Sequence, residues 1–204
     1  MLLNDRQIRE LALKGMITPF VPQMVRQIST PCNIIEMPHK VISYGLGSYG
    51  LDIRLSPKEF KVFRRFPGLI VDPKCTSADT CMESVRLRHA DWRDEAYFIL
   101  PAHSYGLGVA VECLDMPRDV TALCIGKSTY ARWGIIANLT PVEAGWKGHL
   151  TLEFSNSSDA DVRLYANEGI AQLLFFQGED CETSYDDRGG KYQNQKEEIT
   201  HGKA

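Results

Sequence analysis

Residues 126–134 read GKSTYARWG. Lys127, Ser128, Thr129 and Arg132 place two cations and two hydroxyls within six residues, a set able to hold a polyphosphate. Gly-Lys-Ser is also how a P-loop ends. That loop needs a first glycine five positions before the second, and position 121 is Thr121. Without the glycine, the backbone does not readily turn to aim several N–H groups at phosphates. No long parallel-strand pattern precedes the stretch and no clear helix pattern follows it, since Gly134-Ile-Ile-Ala-Asn-Leu-Thr140 reads as a strand. The P-loop is excluded. Two readings remain: a polar turn between strands, or an anion-contacting turn of another kind.

A second chemical candidate lies in His149-Leu-Thr-Leu-Glu-Phe-Ser155. On a strand, Leu150, Leu152 and Phe154 share one face, and Thr151, Glu153 and Ser155 the other. Glu153 then faces water or a ligand. Glu is a poor strand former, and its neighbours on that face are small hydroxyl residues, which leave room for a ligand. If protein covers the face, desolvation raises the carboxyl pKa and fits it to move protons. Glu143 lies in a turn, Thr140-Pro-Val-Glu-Ala-Gly-Trp-Lys-Gly148, and reads as a solvated hairpin tip.

The elements that must position these residues are mostly strands. Alternation marks Leu51–Leu55, part of Phe60–Phe63, and Leu150–Phe154. Tyr105–Glu112 is apolar and Gly-rich, and Ile170–Phe176 is nearly continuous apolar sequence. Turn residues separate them, at Pro67-Gly68, Pro101, Pro117-Arg-Asp119, Gly145 and Asn156-Ser-Ser158. Short strands at this spacing predict a sandwich or barrel. Residues 4–15 predict a helix that Asn4 caps and Gly15 ends, with Ile8, Leu11 and Ala12 on its apolar side. Residues 72–95 read as an irregular, charged excursion. The polar tail from about residue 182 to 204 reads as a disordered end, or as a segment that orders on binding through Tyr185 and Tyr192.

A chain of 204 residues suits one domain plus such extensions. The net charge of -3 gives no support to a nucleic-acid-coating surface. No apolar run approaches the ~20 residues needed to span a bilayer, and MLLNDRQIRELALKG lacks a signal-peptide core. A cytoplasmic protein is expected. The six cysteines form no C-x-x-C pair, which argues against structural zinc and, in a reducing compartment, against disulfides. Cys113 and Cys124, in apolar strands, read as buried free thiols.

Five motifs stand in order: Ser48–Leu55, Gly126–Arg132, Glu143–Gly148, Gly169–Phe175 and Arg188–Gln195. With Leu150–Asn156 and Tyr165–Gly169 they resemble the dUTPase superfamily, most nearly its dCTP deaminase branch, over nearly the whole chain. The resemblance implies a mainly β, distorted jelly-roll-like barrel or sandwich with an N-terminal helix, assembled as a homotrimer with active sites between subunits. It implies deamination of dCTP to dUTP and ammonia, with magnesium bound through the triphosphate and no zinc. It places Lys127, Ser128, Thr129, Tyr130, Ala131 and Arg132 at the phosphates and base. Thr151, Leu152 and Glu153 fall on the cytosine-reading strand, with Glu153 catalytic beside Ser128 and Arg132. Gln172 contacts the nucleotide, and Tyr185, Lys191 and Gln195 belong to a closing C-terminal segment.

Zinc deaminases hold their metal with H-x-E and P-C-x-x-C. Pro31-Cys32 is followed by Asn33-Ile34-Ile35, and no His has Glu two positions later. A rival reading is a dUTP diphosphatase, or a bifunctional enzyme forming dUMP from dCTP. Diphosphatases carry a water-activating Asp and a Tyr in the third motif, where this chain has Glu143 and Trp146, and a stacking aromatic in a Gly-rich fifth motif, where it has Gly-Gly-Lys-Tyr-Gln. Both departures favour the deaminase. A non-catalytic binding module would be marked by loss of Glu153, Ser128 or Arg132, and all three are present. Within the branch, Trp133, Ala144-Gly145 and the 76–95 excursion are departures that bear on loop geometry.

Overall fold

The computed structural model describes residues 1–32, 35–64, 68, 70–90, 95–138 and 140–202, without the side chains of 30–37, 78 and 79. Pro67, part of the charged run (91–94), Leu139 and the last two tail residues, all named above, lie outside the described residues.

The chain opens with α1 (Asp5–Leu13). Asn4 caps it as expected: its side chain accepts from the Gln7 N–H at 3.1 Å, and the Gln7 side chain accepts from the Asn4 N–H at 3.1 Å. This reciprocal box satisfies two of the helix's orphan donors. Gly15 follows with φ 103°, a left-handed turn that ends the helix. Ile8 and Ala12 bury its inner side.

The rest is mainly β. In chain order come β1 (Ile17–Thr18), β2 (Val25–Cys32), β3 (Ile35–Gly47) and β4 (Gly50–Phe63). Then follow a one-turn helix α2 (Ala78–Cys81), β5 (Met82–Ser84), β6 (Arg88–His89), β7 (Ala96–Leu100), β8 (Tyr105–Asp115) and β9 (Val120–Gly126). The chain continues with α3 (Ser128–Ala131), β10 (Ile135–Ala137), β11 (Thr140–Val142), β12 (Lys147–Asn156), β13 (Val162–Tyr165) and β14 (Gly169–Gln177). Among the described residues, a curled sheet runs β10-β12-β8-β4-β14-β9-β11, and β13-β7-β6 form a smaller one. Among the described residues, each pairing between these strands is antiparallel, and an isolated bridge between Gly148 and Gln195 is parallel.

Three expectations about local structure change. The two alternating stretches Leu51–Leu55 and Phe60–Phe63 are one strand, β4, interrupted by a register shift against β8 between Leu55 and Phe60. A short helix, α3, does follow Gly126-Lys127, because the turn closes on itself through Tyr130 N–H and Ala131 N–H to the Lys127 carbonyl, each at 3.1 Å. The 72–95 excursion carries α2, β5 and β6, anchored by buried Cys81 and Met82.

The core lies between the sheets. Phe60 stacks on Phe98 at 5.2 Å and on Phe154 at 6.2 Å between ring centroids. The Gly-rich character of β8 follows from this stack. A Cβ on Gly108 would stand 2.7 Å from Leu55 and 3.1 Å from the Phe60 ring. Cys124 is buried and Cys113 half-buried, both as free thiols, and burial pushes the Cys124 thiol up to about 12. Among the described residues, no helix is long and apolar enough to cross a membrane.

Candidate active site

β12 follows the expected alternation. Leu150, Leu152 and Phe154 are buried in the core, while Thr151, Glu153 and Ser155 are half-buried on the other face. The register with β8 sets Thr151 opposite Val109, Glu153 opposite Leu107, and Ser155 opposite Tyr105. All six side chains therefore stand on one face. That face floors a groove of about 540 Å³, walled by Phe63, Thr140, Pro141, Glu143 and Trp146.

The tail roofs the groove. It is docked on its own chain through specific contacts, in contrast to the expected disordered end. Trp146 Nε1 donates to the Tyr192 carbonyl at 2.8 Å, Asn194 N–H to the Lys147 carbonyl at 2.8 Å, and His149 N–H to the Gln195 carbonyl at 3.0 Å. Tyr192 N–H donates to the Tyr185 hydroxyl at 2.9 Å. Gly190 lies flat on the Tyr185 ring, where a Cβ would come within 2.0 Å of a ring carbon, so the second glycine of the fifth motif is a packing requirement, while Gly189 has open space and a φ of 63°. Arg188 pairs with Glu143 and lies over Tyr185 at 5.3 Å. Glu143 thus ties the tail to the β11–β12 turn instead of standing free at a hairpin tip.

The last described residues continue the roof. Glu197 accepts from Ser56 at 2.7 Å and pairs with Lys58. Ile199 is buried against Cys81, Met82, Leu107 and Val109. Thr200 N–H donates to the Thr151 hydroxyl at 3.0 Å. These partners are far apart in sequence and alternation does not reveal them.

Covered in this way, Glu153 is partly desolvated, and burial pushes its carboxyl above the usual carboxylate range. Hydrogen bonds from the Thr140 hydroxyl and from backbone oppose the rise; Thr140 Oγ1 donates to Glu153 Oε2 at 3.3 Å. The result is a carboxyl that holds a proton more readily than an ordinary carboxylate, the direction a group that takes up and releases protons needs.

The second motif is elsewhere. Lys127 is 9% exposed and its ammonium pairs with buried Asp52. Gln172, half-buried on β14, stands directly across from Asp52. Tyr130 is buried, its hydroxyl accepting from the Tyr165 N–H at 2.9 Å, and burial raises its pKa. Ser128, Thr129, Ala131 and Arg132 are exposed. Thr129 and Arg132 line a separate cleft of about 610 Å³ with the exposed Trp133. The structure therefore brings together Thr151, Glu153, Tyr185 and Gln195, with Leu152 buried beneath and Lys191 exposed on the tail. It does not bring the 127–132 group into the same groove. Sequence reasoning missed Tyr105, Thr140, Trp146, Tyr192 and Thr200 as groove residues. The i, i+2 placement of Tyr105, Leu107 and Val109 on one side of β8 is the sequence signal for Tyr105. Among the described residues, no group of three or more His, Cys, Asp or Glu side chains is placed to hold a metal ion.

2'-Deoxycytidine 5'-triphosphate deaminase from Agrobacterium tumefaciens has a similar structure, with a TM-score of 0.53 and 18% identity, covering 87% of this chain and 48% of that one. The dCTP deaminase-like family model matches residues 2–178, and the chain belongs to that family. It is 47% identical over 197 residues to a dCTP deaminase of Psychrobacter sp. (95% of this chain, 94% of the relative). It is likewise 47% identical over 194 residues to a dCTP deaminase of Acinetobacter baylyi (94% of each).

Proposed function

We propose that the protein is a hydrolase that deaminates dCTP to dUTP and ammonia, acting in the cytoplasm on the magnesium complex of the nucleotide. The observation that carries this reading is Glu153: a carboxylate on a polar strand face, roofed by the tail, raised by burial and held by Thr140, in a chain whose relatives are dCTP deaminases.

Water adds to C4 of the cytosine ring. Glu153 takes one proton from that water and passes it to N3, then takes the second from the C4 hydroxyl so formed and passes it to the amino group, so that the C4–N bond breaks, ammonia leaves and the uracil carbonyl forms. One carboxyl can serve both steps if its pKa lies near the working pH. Thr151, beside Glu153, is placed to read the base edge, and Tyr185, Gln195 and Lys191 belong to a tail that covers the triphosphate. Magnesium arrives with the phosphates as part of the substrate, and no zinc takes part.

Ser128 and Arg132 complete the site from a neighbouring subunit of a homotrimer. Support for this comes from their place in the chain. Ile136 pairs with Ser155, so α3 lies beyond the Asn156 end of β12, whereas the groove extends from Glu153 towards Thr151 and Gln195. In trans, Ser128 holds the attacking water and Arg132 stabilises the developing charge.

The test is product analysis with dCTP and magnesium, with and without phenanthroline, on the wild type and Glu153→Gln. The wild type is expected to form dUTP and ammonia regardless of chelator. The variant is expected to bind dCTP without turning it over, and near-normal turnover would sink the assignment. Formation of dUMP and pyrophosphate would instead mark a bifunctional enzyme, for which Glu143 would have to leave Arg188.

A further inference from the structure

Tyr105 begins β8, directly across from Ser155 and one strand repeat from Leu107, the partner of Glu153. It is thus the diagonal neighbour of Glu153 on the groove face, with Cβ atoms about 7–8 Å apart, within reach of long side chains. Its ring is fixed on one side by Phe63, edge-on at 5.4 Å between centroids. Its hydroxyl accepts a hydrogen bond from the Asn138 side-chain amide at 3.4 Å. Asn138 is itself fastened to the site, its N–H donating to the Glu153 carbonyl at 3.1 Å. With its acceptor side occupied by Asn138, the phenol has its O–H left to give.

Glu153, whose charge Tyr105 feels, takes a protein hydrogen bond from Thr140. Both Tyr105 and Thr140 line the groove with Glu153. A water needs two to four polar partners and space of its own. Phenol, carboxylate and threonine hydroxyl around one groove supply both. Tyr105 stays protonated under working conditions, because burial and then the charge of Glu153 push its pKa up.

We propose that Tyr105 is a positioning residue for Glu153: its hydroxyl, oriented by Asn138, donates to a water that bridges to the carboxylate and fixes where that water stands for attack. The inference rests on the deaminase reading for the reaction it assists. The bridge itself belongs to the resting protein and can be measured without any substrate.

The experiment compares the wild type with Tyr105→Phe, which keeps the ring and its burial and removes only the hydroxyl. Two readouts are taken. In the first, the protein carries ¹³C-labelled glutamate, and the Glu153 carboxyl is titrated by NMR without ligand, assigned through Glu153→Gln. Loss of a donor that favours the ionised form should move the Glu153 titration to higher pH. In the second, steady-state kinetics with dCTP should show kcat lowered by about two- to tenfold, one hydrogen bond's worth, with KM within about twofold. The acid limb of the pH profile should move in the same direction as the NMR titration.

An unchanged Glu153 titration overturns the proposal, whatever the kinetics show. A shifted titration in a protein that does not deaminate dCTP supports the bridge and refutes the substrate assignment, so the two failures are separable. Asn138→Ala is the second variant: it leaves the phenol in place but unoriented, and a smaller shift of the same sign is expected. A loss of stability in both variants with no change of titration would mean that Tyr105 serves packing alone and would also overturn the proposal.

Discussion

The separation of the two halves of the site can be turned into a number. Glu153 lies in the roofed groove, and none of residues 127–132 lines it. If each working site joins the Glu153 groove of one subunit to the Ser128–Arg132 turn of its neighbour, two different inactive chains can repair each other. Glu153→Gln leaves the 128–132 turn intact and keeps a side-chain oxygen to accept from Thr140. Arg132→Ala leaves the groove intact. Arg132 is exposed and touches its own chain through a 3.4 Å hydrogen bond to the Ser128 carbonyl, so its removal should change folding stability by no more than about 0.5 kcal/mol. In an equal mixture that assembles at random, a site draws its carboxylate from the Arg132→Ala chain half of the time and its arginine from the Glu153→Gln chain half of the time. About one quarter of all sites are then whole; every mixed trimer holds one whole site in three, so material purified through both tags should regain about a third of wild-type activity. The assay is ammonia release from dCTP by co-expressed, differently tagged chains, purified through both tags and compared with each variant alone. A cis site predicts no recovery at any mixing ratio. Verified mixed oligomers without recovered activity would refute the shared site.

Other perturbations have defined outcomes. Ile199→Ala removes the apolar anchor of the roof, a truncation worth about 2–5 kcal/mol at a packed site; KM for dCTP should rise and tryptic cleavage after Lys196 should accelerate, and unchanged values would mean that the last turn of the tail does not seal the groove. Lys127→Met leaves Asp52 as an unpaired buried charge, and breaking such a pair costs about 3–5 kcal/mol. Thermal unfolding should therefore fall by many degrees, whereas a loss of activity at unchanged stability would return Lys127 to the substrate. Glu168, which accepts from the Ile42 N–H at 2.5 Å, is pushed up to about 7, chiefly by burial. A carboxyl whose folded pKa exceeds its unfolded value contributes stability that is fully present below the unfolded pKa and is lost as pH rises through the folded one. Wild-type stability should thus decline from about pH 4.5 through about pH 7, and Glu168→Gln should flatten that decline in denaturant melts; an equal slope in both proteins would exclude Glu168 as its source.

Much of the framework was legible because it is local. The Asn4 cap, the Gly15 stop and the two-faced pattern of β12 each follow from residues within a turn or a strand of one another, and α1 and β12 occur where those signals stand. The alternation of Leu51–Leu55 predicts the strand that β4 forms there, yet it does not say what meets the polar side. Asp52 is buried and Arg54 half-buried, and both carry partners: Lys127 for Asp52, and Glu112 for Arg54, whose Nε lies 2.7 Å from the carboxylate. A buried charge needs such a partner, and the partner is chosen by tertiary register, 75 residues away for Lys127.

Lys127 shows why a site motif is harder to read than a fold. Within GKSTYAR every polar residue has the chemistry to meet a phosphate, and the sequence treats them alike. The fold divides them. α3 turns Ser128, Thr129 and Arg132 outward, while Lys127, between β9 and α3, points back into the sheet toward Asp52. Its ammonium is engaged by Asp52 within the chain, and the Lys127→Met melts decide whether that pairing fixes the turn that presents the others. The tail carries the converse lesson. Polar composition and terminal position read as disorder, but Gly190 on Tyr185, Trp146 on the Tyr192 carbonyl and Ile199 in an apolar niche each supply a contact that composition cannot register. The roof over Glu153 is assembled from these contacts, and its residues line the same groove as the carboxyl whose pKa burial raises.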